Sequence, residues 1–228
     1  MFNFKKNKSK KLNQSIIDGH YKVAINLLNK GANPNYRFKY DDINPIRSIN
    51  CKATKETEDS FPLINAIINA VHTDIDFPIL KNVIQLMIDK GADVNARTCS
   101  GQTSLFIAIT FGQLQIAKLL VSNNADLNIK DNILGNSPLH VAVSMGNIKT
   151  IEFLINNGAD LNIQNMKGDT PIIFAIFFGY IEIVKLLLDA GSNVNIKNNN
   201  NKTALDAVIL TGNEHIISIF EDAKLINS

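Results

Sequence analysis

Hydrophobic residues along this chain fall in short blocks with the spacing of an amphipathic helix, and the blocks come in pairs. Pro138 to Met145 and Ile148 to Asn157 form one pair, each block long enough for two or three helical turns. Polar segments rich in asparagine and glycine separate one pair from the next. The whole arrangement recurs: GADVNA at Gly91, NADLNI at Asn124, GADLNI at Gly158 and GSNVNI at Gly191 are spaced by 33, 34 and 33 residues. Gly112, Gly146, Gly179 and Gly212 keep the same period. The predicted unit is helix, turn, helix and then an extended finger.

Local chemistry supports each boundary. Ser137-Pro138 and Thr170-Pro171 place a side-chain oxygen at the helix N-cap and a proline at the first helical position, where its missing N–H costs nothing. Gly31, Gly91, Gly158 and Gly191 fall just beyond second helices, where a left-handed residue commonly closes the last turn. Asn124 takes that place once, and asparagine is the non-glycine residue that best tolerates the conformation. The fingers carry Gly101, Gly135 and Gly168, and then Asn201.

The 33-residue period, the segments Ser137-Pro138-Leu139-His140-Val141-Ala142 and Thr170-Pro171-Ile172, the Leu119-Leu120 pair and the GADVN block together resemble ankyrin repeats. The resemblance covers nearly the whole chain. It implies an all-α solenoid of about six stacked helix-turn-helix units with β-hairpin-like fingers, in a single domain over 12–228 behind a basic tail at 1–11. The repeats are expected at 12–35, 59–95, 96–128, 129–162, 163–195 and 196–222. Ala204 and Asp206 stand in the last copy where the family prefers Pro and His, as a cap facing water allows. Stacking implies a shared core of Leu105, Ala108, Ile116, Leu119 and Leu120, then Leu139, Ala142, Ile148, Ile151 and Leu154, then Ile172, Ala175, Ile181, Val184 and Leu187. One stretch departs from the period. Gly31 to Gly91 spans 60 residues, which places a loop insertion at 36–60 and a second one between helices near 71–79.

Composition narrows the function. With 23 basic and 21 acidic residues the chain lacks the dense basic face that phosphate attraction needs, so no nucleic acid is expected as a partner. No apolar run is long enough to span a bilayer, and two cysteines without a CxxC pair fit a reducing, cytoplasmic setting. The 33 Ile, 31 Asn and 20 Lys against 3 Arg point to an AT-rich genome. Such drift, with a eukaryote-like repeat, suggests a host-directed effector of an intracellular bacterium or large DNA virus, acting in host cytosol.

Catalysis needs a nucleophile, an acid or base and a charge stabiliser in one place. His20, His72, His140 and His215 make no HExxH, Cys51 and Cys99 lie in different loops, and no GxGxxG, GxxxxGK[ST] or GxSxG occurs. No enzyme, cofactor or metal site is expected. The resemblance gives His140 a structural part, bonding finger backbone between repeats. It gives Asn95, Asn128, Asn162 and Asn195 the same kind of part, and makes them candidates for asparagine hydroxylation.

In the ankyrin fold, finger tips and the exposed edge of each first helix line a concave face that binds protein partners. Carried over, the fingers contribute Arg97, Cys99, Ser100 and Gln102; Lys130, Asn132, Ile133, Leu134 and Asn136; Gln164, Met166, Lys167 and Asp169; and Lys197, Asn199, Asn200 and Lys202. The helices contribute Thr110-Phe111, Ser144-Met145, Phe177-Phe178 and Leu210-Thr211. That series is apolar where a free surface is ordinarily polar, so Phe111, Met145, Phe177 and Phe178 are expected to form an interaction strip. The expected function is a monomeric, non-enzymatic protein-interaction module. The alternatives are a targeting or regulatory subunit of a separate enzyme and a self-associating scaffold.

Overall fold

The structure is a computed structural model that describes residues 2–36, 62–72 and 77–225. Among these residues the chain is all helical, in six consecutive pairs: α1 (Phe2–Ile17) and α2 (Tyr21–Asn29), α3 (Pro62–His72) and α4 (Phe77–Asp89), α5 (Ser104–Thr110) and α6 (Leu114–Ser122), α7 (Pro138–Ser144) and α8 (Ile148–Asn156), α9 (Pro171–Phe177) and α10 (Ile181–Asp189), α11 (Ala204–Thr211) and α12 (Glu214–Asp222). The fingers are closed turns, without strands among the described residues. Most of the 36–60 insertion and the centre of the one near 71–79 lie outside the described residues.

The single domain expected over 12–228 divides into two compact units, Met1–Asp126 and Leu127–Ser228. In the first unit α1 packs on α2 and α3, α3 on α5, α2 on α4, and α4 on α6. In the second, α7 packs on α8 and α9, α9 on α10 and α11, and α12 on α10 and α11. Each unit therefore has a row of first helices backed by a row of second helices.

This two-row arrangement explains which residues are apolar. Helix α9 is flanked by α7, α11 and α10, and it buries Ile172, Ile173, Ala175 and Ile176 in nearly every direction. Helix α10 backs the row and buries only the stripe Ile183, Val184 and Leu187, leaving Glu182, Lys185 and Asp189 in water. Most of the expected core is buried, but Ile148 is exposed and Leu119 and Ile181 are partly so. Ile148 and Ile181 open their helices, one turn ahead of the buried stripe.

The turns follow the local chemistry. Gly158 closes α8 with φ 85°, its N–H donating to Ile155 O while Ala159 N–H donates to Leu154 O. Asn124 closes α6 with φ 64° and the same pair of bonds, to Val121 O and Leu120 O. At the N-termini, Ser137 and Thr203 form reciprocal capping boxes with His140 and Asp206, and Thr103 caps α5 by accepting from Phe106 N–H. Thr170, expected to cap α9, makes no side-chain cap bond, and Ile173 has no polar group to form the return half of a box.

Residues 2–11 of the basic tail expected at 1–11 lie within α1. Lysine is a good helix former, and the helix is anchored by buried Ser9, whose Oγ accepts from Asn33 N–H at 2.9 Å, and by Lys8, which donates to Lys30 O at 3.0 Å.

Candidate interaction face

Finger positions in the second unit are fixed by backbone. Asp131 N–H donates to Asn136 O, Asn165 N–H to Asp169 O and Asn198 N–H to Lys202 O, closing three successive turns. Adjacent tips then join: Met166 N–H donates to Leu134 O at 2.9 Å and Asn199 N–H to Lys167 O at 3.0 Å. The contact is too close for a side chain. A Cβ on Gly135 would stand 2.8 Å from Met166 N, and one on Gly168 2.6 Å from Asn199 N, and both glycines have positive φ.

Polar groups inside the fingers are consumed by this geometry. The Asp131 carboxylate accepts from the N–H groups of Ile133, Leu134 and Gly135, organising the longer tip. Asp169 accepts from Asn198 Nδ2 at 2.7 Å, and Asn136 Oδ1 from Asn165 Nδ2 at 3.1 Å. Asn136 and Asp169, and Ser100 in the first unit, were expected on the open face; all three are buried. Asn136 and Asp169 turn toward side-chain amides of the next finger, and Ser100 donates to Gln102 Oε1 within its own turn.

The asparagine series ties repeat to repeat lower down. Asn95 Oδ1 accepts from Asp126 N–H at 2.8 Å in the first unit, while in the second Asn128 Oδ1 accepts from Asp160 N–H at 2.9 Å and Asn162 Oδ1 from Asn193 N–H at 2.8 Å. The bond goes to the turn following the next second helix, not to a finger.

Charges left facing solvent on the second-unit fingers are lysines. Lys130, Lys167, Lys197 and Lys202 are exposed, and Lys130 Nζ donates to Gln164 O at 3.0 Å. Lys202 lies 3.9 Å from Asp206, whose carboxyl is held below its ordinary pKa mainly by the Thr203 backbone and hydroxyl bonds.

The C-terminal ends of the first helices are apolar and open. Phe177 and Phe178 are 49% and 51% exposed, Leu210 is 75%, and Met145, Ile133, Leu134 and Met166 are also exposed. Phe178 is held in place: its ring stacks on Tyr180 (5.6 Å, 23°) and meets Phe174 edge-on at 6.0 Å, and Phe174 in turn meets the ring of buried His140 at 5.2 Å. This row of rings was not read from the sequence, although Tyr180 stands beside the marker Gly179 and Phe174 one helical turn before Phe178.

Two expected site residues belong to the first unit. Phe111 caps α5 and is half-buried, and Arg97 is exposed with Nε donating to Gly101 O at 3.2 Å. The second unit brings together Met145, Phe177 and Phe178 at helix ends, and Leu134, Met166 and Lys167 at joined tips. Cys99, expected as an incidental thiol in a reducing setting, is disulfide-bonded. Cys51 lies outside the described residues.

Among the described residues no group of three or more His, Cys, Asp or Glu side chains is placed to hold a metal ion, and no helix is long and apolar enough to cross a membrane. A search among curated proteins gives no match. A family model described as ankyrin repeats, in three copies, matches residues 45–131, 79–165 and 139–225. With the period, the paired helices and the joined fingers, that match establishes that the chain belongs to the ankyrin repeat family.

Proposed function

We propose that this chain is a non-enzymatic protein-interaction module, and that residues 127–228 carry a docking face built from the exposed ends of their first helices and the tips of their fingers. Ankyrin repeats are generally protein–protein interaction modules. The observation that supports this location is the contrast along α9: Ile172, Ile173 and Ile176 are 1% exposed or less, while the next two residues, Phe177 and Phe178, leave half their surface in water. Core packing accounts for the first three. It does not account for two adjacent open phenyl rings, one of them braced by Tyr180. A braced aromatic ring binds with little loss of side-chain freedom, the property of interface anchors. Met145 and Leu210, at the matching ends of α7 and α11, extend the apolar surface across three neighbouring repeats.

The test is the double substitution F177S/F178S in the full chain. Binding by protein ligands selected against the wild-type chain is expected to be lost while helical circular dichroism stays the same. Retained binding would remove the face from these residues.

A further inference from the structure

Among the charges exposed around the apolar helix ends of the second unit, base outweighs acid: the half-exposed acid there is Asp206, 3.9 Å from Lys202. The finger carboxylates are engaged, Asp131 by three backbone N–H groups and Asp169 by Asn198, while Lys130, Lys167, Lys197 and Lys202 face solvent. Helices α7 and α9 carry no ionised side chain at neutral pH, since their one titratable group is the buried His140, with a pKa near 4. Most exposed acids of the unit are on the opposite row, at Glu152, Glu182, Asp189, Glu214, Glu221 and Asp222 of α8, α10 and α12; Asp160 is exposed in the turn after α8, and Asp206 is half-exposed on α11 beside Lys202. Lys202 stands just ahead of the N-cap Thr203, 3.9 Å from Asp206, and Asp206 and Leu210 lie one turn apart on one face of α11.

Resting on the docking face proposed above, we infer that its partner is an acidic protein segment in which apolar anchors are flanked by Asp or Glu. The anchors would cover Phe177, Phe178 and Leu210, and the flanking carboxylates would meet Lys167, Lys197 and Lys202 on successive fingers. Complementary charge of this kind steers encounter and fixes register, and it discriminates against basic segments that fit the apolar surface equally well. A single-stranded nucleic acid would answer the lysines and could stack a base on an open phenyl ring, but it offers no aliphatic group to cover Leu210 and Met145.

The inference is tested by selecting a random displayed peptide library on the full chain, then titrating the winners against wild type, F177S/F178S and K167E/K202E. The expected result is a set of peptides with aromatic or aliphatic anchors and an excess of acidic flanks. Their affinity should fall at least about 10-fold on F177S/F178S, fall several-fold on K167E/K202E, and weaken with added salt. Winners that need the phenylalanines but show no acidic excess and ignore K167E/K202E would overturn the acidic partner and leave the docking face standing. Winners indifferent to F177S/F178S would overturn both. Concentration-dependent dimers in light scattering that F177S/F178S dissolves would assign the face to a second copy, and an oligonucleotide bound equally by F177S/F178S would reassign the lysines; either overturns the inference.

Discussion

His140 Nε2 lies 2.9 Å from the carbonyl oxygen of Asp169, in the finger of the following repeat. A carbonyl only accepts, so Nε2 carries the proton and Nδ1 is left to accept from Ser137, whose Oγ is 2.9 Å away. Both ring nitrogens are used by the neutral imidazole. Burial pushes its pKa down to about 4, outweighing the opposing influence of the Asp169 carbonyl and the Asp131 and Asp169 carboxylates, while Lys130 adds slightly to the fall.

A depressed histidine pKa means the unfolded chain binds the proton more readily, so this group's contribution falls as pH drops from about 6.5 to about 4 and is flat above 7. The loss across that window is ~3 kcal/mol. His140→Gln is expected to be less stable at pH 7 and to lose less stability on acidification than wild type, measured by urea unfolding at pH 7, 5.5 and 4.5. Parallel pH profiles would show that the imidazole is not the group responsible.

Two left-handed glycines separate backbone strain from crowding. Gly158 has open space where a Cβ would go, so Gly158→Ala is expected to cost about 1–2 kcal/mol from conformation alone. Gly168→Ala adds a collision with Asn199 N and should cost clearly more, because that neighbour is backbone and cannot rotate away. Denaturant midpoints of the two variants check the order, and equal midpoints would count against the close approach of the fingers.

The asparagine bond between turns is local and exposed to water. Removing Asn162 Oδ1 with Asn162→Ala is expected to cost about 0.5–1.5 kcal/mol. Amide exchange of Asn193 should accelerate selectively, while Asp160, bonded to Asn128, keeps its protection.

Surface and core substitutions should differ sharply on α9 and its neighbour. Because half of each ring is already in water, F177S/F178S is expected to cost about 1.5–3 kcal/mol in total, shared between two residues. Leu139→Ala, at a fully buried site on α7, should cost about 2–5 kcal/mol alone. Thermal denaturation of both checks this, and a collapse of F177S/F178S to the level of Leu139→Ala would make those rings core.

Helices, turns and repeat phase were legible in the sequence because each rests on local chemistry: Ser137-Pro138 at a helix start, Gly158 or Asn124 at its end, Gly168 in a finger. What failed depended on partners distant in sequence. Thr170 looks identical to Ser137 and Thr103 in sequence, yet it alone of the three makes no side-chain cap bond. Asp169 and Asn136 look like surface residues until the next finger supplies Asn198 and Asn165 to bond them. The charged start of α1 read as a tail because its anchors, Lys30 O and Asn33 N–H, lie a full helix away. Phe177 and Phe178 were readable as free positions from the repeat pattern, but the bracing of Phe178 by Tyr180 required coordinates.

The most direct measurement is a calorimetric titration of one library-selected peptide into wild-type chain and into F177S/F178S, with both melting curves recorded on the same samples. The expected outcome is an affinity reduced at least about 10-fold in the variant with a melting temperature only a few degrees lower. Undiminished affinity for the variant would contradict a docking face at the open end of α9.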